Sequence, residues 1–227
     1  MRPTLQFLGR PGKKKVILIT TSVGGEGKSF VTINLACVLA MQNQKVVIVG
    51  VDLRKPKLYG DFGLTNDKGV SSFLIGQSDV LGIIQKTNVE NLDIIPSGPI
   101  PPNPSELVSK REMATLFDEL SSMYDYIVVD TPPLGIVSDA MILMNYSHVN
   151  VYIVRENYSR KEYVQALNEN FEQGKFNNMS IILNDSGLNG TYGNSYGYSY
   201  GYHTGSGYYD DDESSLGAKV KRTLLNR

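Results

Sequence analysis

Cysteine is almost missing from this sequence: Cys37 is alone among 227 residues. A single thiol excludes a disulfide framework and a cysteine metal site, and it fits a reducing compartment. Cys37 lies in an apolar helical stretch and reads as core packing, not as a reactive group. An excess of one charge is missing too. Lys and Arg number 22 against 23 Asp and Glu, so no global field argues for nucleic acid, and no nucleic-acid partner is expected. No apolar run approaches the roughly 20 residues that span a bilayer, and the start carries no charged-then-apolar signal pattern. The chain as given reads as soluble. Its abrupt start, Met1-Arg2-Pro3 running into Leu5, Phe7 and Leu8 and then Lys13-Lys14-Lys15, reads as a piece of something longer.

What is present is a 41% apolar chain, enough for one sizeable core. Short apolar runs recur at 16–19, 46–49, 92–95, 127–129, 149–154 and 181–183, and all read as buried strands. Runs apolar on both faces suit a parallel sheet covered twice, because a sheet with one wet face would alternate. Helical patterns near 28–42, 104–122, 135–146 and 160–173 supply the crossovers. The expected fold class is α/β: a doubly wound, mostly parallel sheet with helices on both faces.

Two regions are expected, a folded domain over 1–187 and a flexible tail over 188–227. The tail turns to Gly, Ser and Tyr, with few aliphatic side chains to bury, and then carries the acidic run Asp210-Asp211-Asp212-Glu213 and a basic end from Lys219 to Arg227.

The chemistry starts after the first strand, at Ser22-Val23-Gly24-Gly25-Glu26-Gly27-Lys28-Ser29, with a helical pattern from Phe30 onward. Strand, glycine turn and helix together make a phosphate cradle: glycines let backbone N–H groups wrap the anion and the helix N-terminus favours negative charge. The expected nucleotide contacts are Gly24, Gly25, Glu26, Gly27, Lys28, Ser29 and Phe30, for ATP with Mg²⁺ as cofactors. Lys28 would reach the β- and γ-phosphates and the Ser29 hydroxyl would ligate Mg²⁺. Ser22 stands where such loops usually start with glycine. A second strand ends in Asp130-Thr131-Pro132-Pro133, whose Asp130 carboxylate would hold Mg²⁺ through a water. The strand at 46–49 leads into Gly50-Val51-Asp52-Leu53-Arg54-Lys55-Pro56, making Asp52 a further expected Mg²⁺ and catalytic residue beside Lys28 and Asp130.

Gly-Glu-Gly-Lys-Ser at 25–29, Asp-Leu-Arg-Lys-Pro at 52–56, Ser-Gly-Pro-Ile-Pro-Pro-Asn-Pro at 97–104 and the tyrosine-rich tail together resemble the catalytic domain of bacterial tyrosine kinases, the BY-kinases that regulate capsule and exopolysaccharide export. These belong to the Min/Par-related branch of P-loop NTPases. The Min- and Par-like ATPases themselves carry a signature lysine five residues before the catalytic one, and Val23 holds that place here. The resemblance implies transfer of the ATP γ-phosphoryl group to the tail, usually on a neighbouring copy, with Tyr192, Tyr196, Tyr198, Tyr200, Tyr202, Tyr208 and Tyr209 as acceptors. It implies as partners other copies of the chain in a ring, a membrane-embedded polysaccharide export module and a tyrosine phosphatase. It also places the domain at the cytoplasmic face of the inner membrane. By analogy with related ATPases, Asn184 at the end of the last strand would contact adenine.

Two departures matter. The family's Asp-x-Asp has Gly50 for its first Asp, the residue taken to accept the tyrosine proton. Either Asp52 takes that role, or activation rests on positioning and electrostatics, or the domain is slow. The Glu-x-x-Arg-x-x-Arg helix that packs neighbours into a ring is reduced to Arg2 and Leu5-Gln6-Phe7, leaving ring assembly by this chain open. On the residues alone, a P-loop ATPase switch and a nucleotide-binding scaffold modified by another enzyme stand as alternatives, and the tyrosine tail favours the kinase.

Overall fold

The computed structural model describes residues 15–135, 139–174 and 178–187. The chain divides into a unit of Met1–Asp185 and a second of Ser186–Arg227, and the fold is that of the first. The tail tyrosines, the acidic run and the residues before Lys15 lie outside the described residues.

The sheet has seven strands: β1 Lys15–Thr21, β2 Val46–Gly50, β3 Gln85–Lys86, β4 Leu92–Ile95, β5 Tyr126–Asp130, β6 Val149–Arg155 and β7 Met179–Asn184. Their order is β3-β4-β2-β5-β1-β6-β7, parallel throughout except for the β3–β4 pair. All six expected strands are present, but the last is not buried as expected: β7 is an edge strand, and Ile181 and Leu183 are each 56% exposed. The seventh, β3, is two residues long and has no apolar pattern to announce it.

Alternation along the central strands sends side chains to two cores. Val16, Leu18, Val47, Val49, Ile127 and Val129 pack on one face, and Ile17, Ile19, Val46, Ile48, Val128 and Val151 on the other. Helix α1, Lys28–Ala40, covers the second face with Val31, Ile33, Leu35, Ala36 and Cys37. Cys37 is buried there and burial raises its thiol pKa, as expected of a packing residue. Short helices α2 (Leu58–Asp61) and α3 (Val70–Leu74) follow β2.

The helical stretch expected over 104–122 is two helices, α4 (Pro104–Val108) and α5 (Arg111–Met123), parted where Lys110 turns extended at φ −71°, ψ 154°. No proline or glycine marks the break. Its cause is tertiary: on one continuous helix Val108 and Met113 would point about 140° apart. The kink lets both bury in the same core, joined by Leu116, Phe117 and Leu120 of α5. Helix α6 (Asp139–Met144) and helix α7 (Lys161–Glu172) complete the unit. Among the described residues no helix is long and apolar enough to cross a membrane.

Candidate active site

The carboxyl ends of β1, β2, β5 and β7 gather the candidate residues, the edge where ligands bind in open α/β sheets. β1 ends at Thr21 and α1 begins at Lys28, so residues 22–27 form the turn between them. Gly25 and Gly27 hold φ angles of 86° and 90°, a region costly for other residues. A Cβ on Gly27 would also collide with Asn184 Nδ2, and one on Gly25 would lie 2.7 Å from Tyr158 Oη. Helix α1 has neither a side-chain cap nor an acidic residue in its first turn, which leaves its leading amides available to an anion.

One buried carboxylate organises the interior. Asp130 Oδ1 accepts from Lys28 Nζ at 2.6 Å and from Thr32 Oγ1 at 3.2 Å, and Asp130 Oδ2 accepts from Ser29 Oγ at 3.5 Å. Lys28, Ser29 and Asp130 are thus brought together. Thr32, one helical turn beyond Lys28, is an unforeseen fourth member. Its spacing from Lys28 is the only clue in the sequence. Two oxygen donors, one anionic, suit a hard cation such as Mg²⁺, and one ammonium beside a glycine turn suits a polyphosphate, so these residues fit both expected cofactors. Among the described residues no group of three or more His, Cys, Asp or Glu side chains is placed to hold a metal ion.

The Glu26 side chain is turned inward and only 1% exposed, which leaves its backbone as the part that lines the loop. Its Oε2 accepts from Val23 N at 3.0 Å and its Oε1 from the Ser159 hydroxyl, so the side chain shapes the loop. Ser22 is buried too, and its hydroxyl is hydrogen-bonded to the phenol of Tyr152 on β6. Burial raises the Tyr152 pKa; the bond to Ser22 lowers it, and the charges of Glu26 and Tyr163 raise it further. Phe30 sits in the first turn of α1 and is about half exposed. Asn184 Nδ2 donates to Glu26 O at 3.1 Å, which places it against the phosphate loop.

Asp52 follows β2 and serves its own turn first: its Oδ1 accepts from Arg54 N at 3.2 Å and from Lys55 N at 3.0 Å. Arg54 reaches back into the fold, with Nη2 donating to Ser105 Oγ at 2.7 Å and Nε and Nη2 each 3.4 Å from Asp139 Oδ2. Asp139 is 2% exposed and its Oδ1 has no hydrogen-bond partner among the described residues. Gly50 is level with Asp130 in the β2–β5 register, and a Cβ there would stand 3.1 Å from Ser97 Oγ. Asp61, closing α2, has a pKa raised by desolvation and then by the charge of Asp130.

Comparison with known proteins fits this geometry. Residues 14–181 match the family model described as an AAA domain. The tyrosine-protein kinase YwqD of Bacillus subtilis (strain 168) is 36% identical over 188 residues, covering 83% of this chain and 79% of that protein. The chain belongs to the bacterial tyrosine kinases. Its fold superposes on the kinase domain of the Escherichia coli tyrosine kinase Etk with a TM-score of 0.77 at 31% identity, over 88% of this chain and 78% of that one. This kinase spans 25% of the length of the E. coli K12 Etk protein, at 32% identity over 184 residues. The MinD protein of Pyrococcus horikoshii, solved with Mg-ADP, shares the fold alone, with a TM-score of 0.63 at 24% identity over 74% of this chain and 69% of that one. The kinase therefore has a P-loop nucleotide-binding fold and the enzyme class of a protein-tyrosine kinase.

Proposed function

We propose that this kinase uses Mg-ATP to phosphorylate the tyrosine cluster at 192–209 on another copy of itself, at the cytoplasmic face of a membrane, and so regulates the assembly and export of a polysaccharide chain. A membrane-embedded export module, further copies of the chain and a resetting tyrosine phosphatase are its partners in this reading. The observation that carries it is the convergence of Lys28, Ser29 and Thr32 on the buried Asp130, in a chain whose last 40 residues hold seven closely spaced tyrosines. Bound Mg²⁺ and ATP would supply the phosphoryl group and most of the charge neutralisation that its transfer needs.

The chain's own residues position and neutralise. The loop amides and Lys28 hold the phosphates, Ser29 and Asp130 hold the cation, and Thr32 keeps Asp130 aimed. Asp52 Oδ1 is committed to the Arg54 and Lys55 amides, which leaves Oδ2 as the oxygen to take the phenolic proton. Asp52→Asn keeps an acceptor for both amides and removes the basicity. Tyrosine phosphorylation should fall about 10²-fold or more with folding unchanged, whereas an undiminished rate assigns activation to positioning alone.

Each phosphate added to the tail brings about −1.5 to −2 charges beside Asp210–Glu213, which repels the product from the site. A second reading, an ATPase switch, draws on Gly50, which puts no acid beside Asp130. The purified chain incubated with Mg-ATP and blotted for phosphotyrosine, with Lys28→Met as control, separates the two. Lys28-dependent phosphotyrosine on the tail supports the kinase; ADP release without it supports the switch.

A further inference from the structure

Backbone N–H groups in a glycine turn can face a phosphate only while the intervening carbonyls face away, and glycine peptides flip readily unless those carbonyls are held. Here three consecutive carbonyls are held from outside the loop. Gly24 O accepts from Tyr158 Oη at 2.9 Å, Gly25 O from Arg155 Nη1 at 2.9 Å and Glu26 O from Asn184 Nδ2 at 3.1 Å. The Glu26 carboxylate, tied to Val23 N, is gripped by Ser159 of the same outer segment. Arg155 is itself aimed. Its Nε donates to Asp185 Oδ2 at 3.1 Å, its Nη2 lies 3.0 Å from the same oxygen, and its guanidinium stands 5.2 Å from the Tyr158 ring centroid. Arg155 N, in turn, donates to Ser159 Oγ at 2.8 Å, closing the segment on itself.

We propose that Arg155 and Tyr158 are positioning residues for the phosphate site: they lock the Gly24 and Gly25 peptides from behind, so that the loop amides are set for a polyphosphate before it arrives. Neither touches the nucleotide. Arg155 does the larger part, because its planar fork bonds Gly25 O and Asp185 together while stacking on Tyr158. The proposal rests on reading Ser22–Ser29 as the nucleotide site.

The test uses the full chain, with ADP as the probe, and two readouts: ADP affinity by titration calorimetry and amide hydrogen exchange without nucleotide. Arg155→Ala should weaken ADP about 10- to 100-fold, the range seen when groups that orient a binding site are removed. Tyr158→Phe, which keeps the ring and its stacking, should weaken it about threefold to tenfold, the scale of one neutral hydrogen bond. Arg155→Lys, charged but unable to fork, should rescue only part of the loss. In each variant, exchange should quicken at residues 23–27 while β1 and β5 keep wild-type protection, which a general loss of stability would not produce. ADP affinity within twofold of wild type, or quickening spread evenly over the sheet, overturns the proposal. Wild-type chain that binds no ADP overturns the site reading and the proposal together, so the two failures are told apart.

Discussion

Two lysine–aspartate pairs lie at opposite ends of this sheet with nearly equal lengths and unequal meaning. At the carboxyl end Lys28 Nζ is 2.6 Å from Asp130; towards the amino end Lys86 Nζ is 2.7 Å from Asp93. Both aspartates are enclosed, but the Lys28 side chain is 11% exposed and that of Lys86 is 84%. A solvated ammonium contributes about 0–1 kcal/mol to such a pair. Asp93 depends instead on Tyr124, whose buried hydroxyl donates to it at 2.7 Å. The Tyr124 pKa is pushed well up by burial, then by that bond and by the Asp93 charge, so the phenol stays a donor. The neutral donor to Asp130, Thr32 Oγ1, is longer at 3.2 Å, and the nearest donor is Lys28, which opens the helix after the phosphate loop. Distance is nearly the same in both pairs, and what separates them is the enclosure of the lysine.

The largest effect should separate the two lysines. Lys28→Met should reduce tyrosine phosphorylation by about 10³-fold or more, and Lys86→Met should leave its initial rate within about twofold. Equal losses would break the comparison.

A third pair tests whether the enclosed acid sets the stability cost. Arg54→Ala strands Asp139, already short of one partner, and should cost about 2–4 kcal/mol in urea unfolding. Adding Asp139→Asn to that variant should recover part of the loss.

Next in size, Tyr124→Phe should cost about 1–3 kcal/mol because Asp93 loses its buried donor. Lys86→Ala should cost under about 1 kcal/mol and less still in high salt.

The smallest effect concerns Asp61. Its folded pKa is raised above the ordinary 3.8, so the folded state binds the proton more tightly. The resulting penalty is absent well below pH 3.8, grows as pH rises through that value to the raised pKa, and is complete at neutral pH. Asp61→Asn should therefore stabilise by about a few tenths of a kcal/mol at pH 7, and the gain should shrink as the urea midpoint is measured at falling pH.

Six of the strands were legible because they are short apolar runs, interrupted only by Asp93 and Asn150, and the phosphate loop because strand, glycines, Lys28, Ser29 and helix are contiguous. What lay beyond reading depends on contacts across the sheet. Arg155 and Tyr158 are separated from the loop they hold by about 130 positions, as the bonds to Gly25 and Gly24 record. Nothing local to Asp139 announces Arg54 as its partner, and nothing around Ser109 and Lys110 announces a helix break. Glu26 is the opposite case: its place in the loop is plain, and only the fold reveals that its carboxylate is turned inward. Asp52 stands between these cases, since its position after β2 was foreseen and its work for the Arg54 and Lys55 amides was not.

The bond between Ser22 and Tyr152 has a consequence for the history of the loop. Replacing Ser22 alone by glycine, the usual residue at that place, leaves a buried phenol without its partner, and replacing Tyr152 alone by phenylalanine strands a buried hydroxyl. Removing both groups together strands neither. Each single step is thus costly while the double step is nearly neutral, so the two positions are epistatic. A lineage that carries this serine is held to it by a residue on another strand.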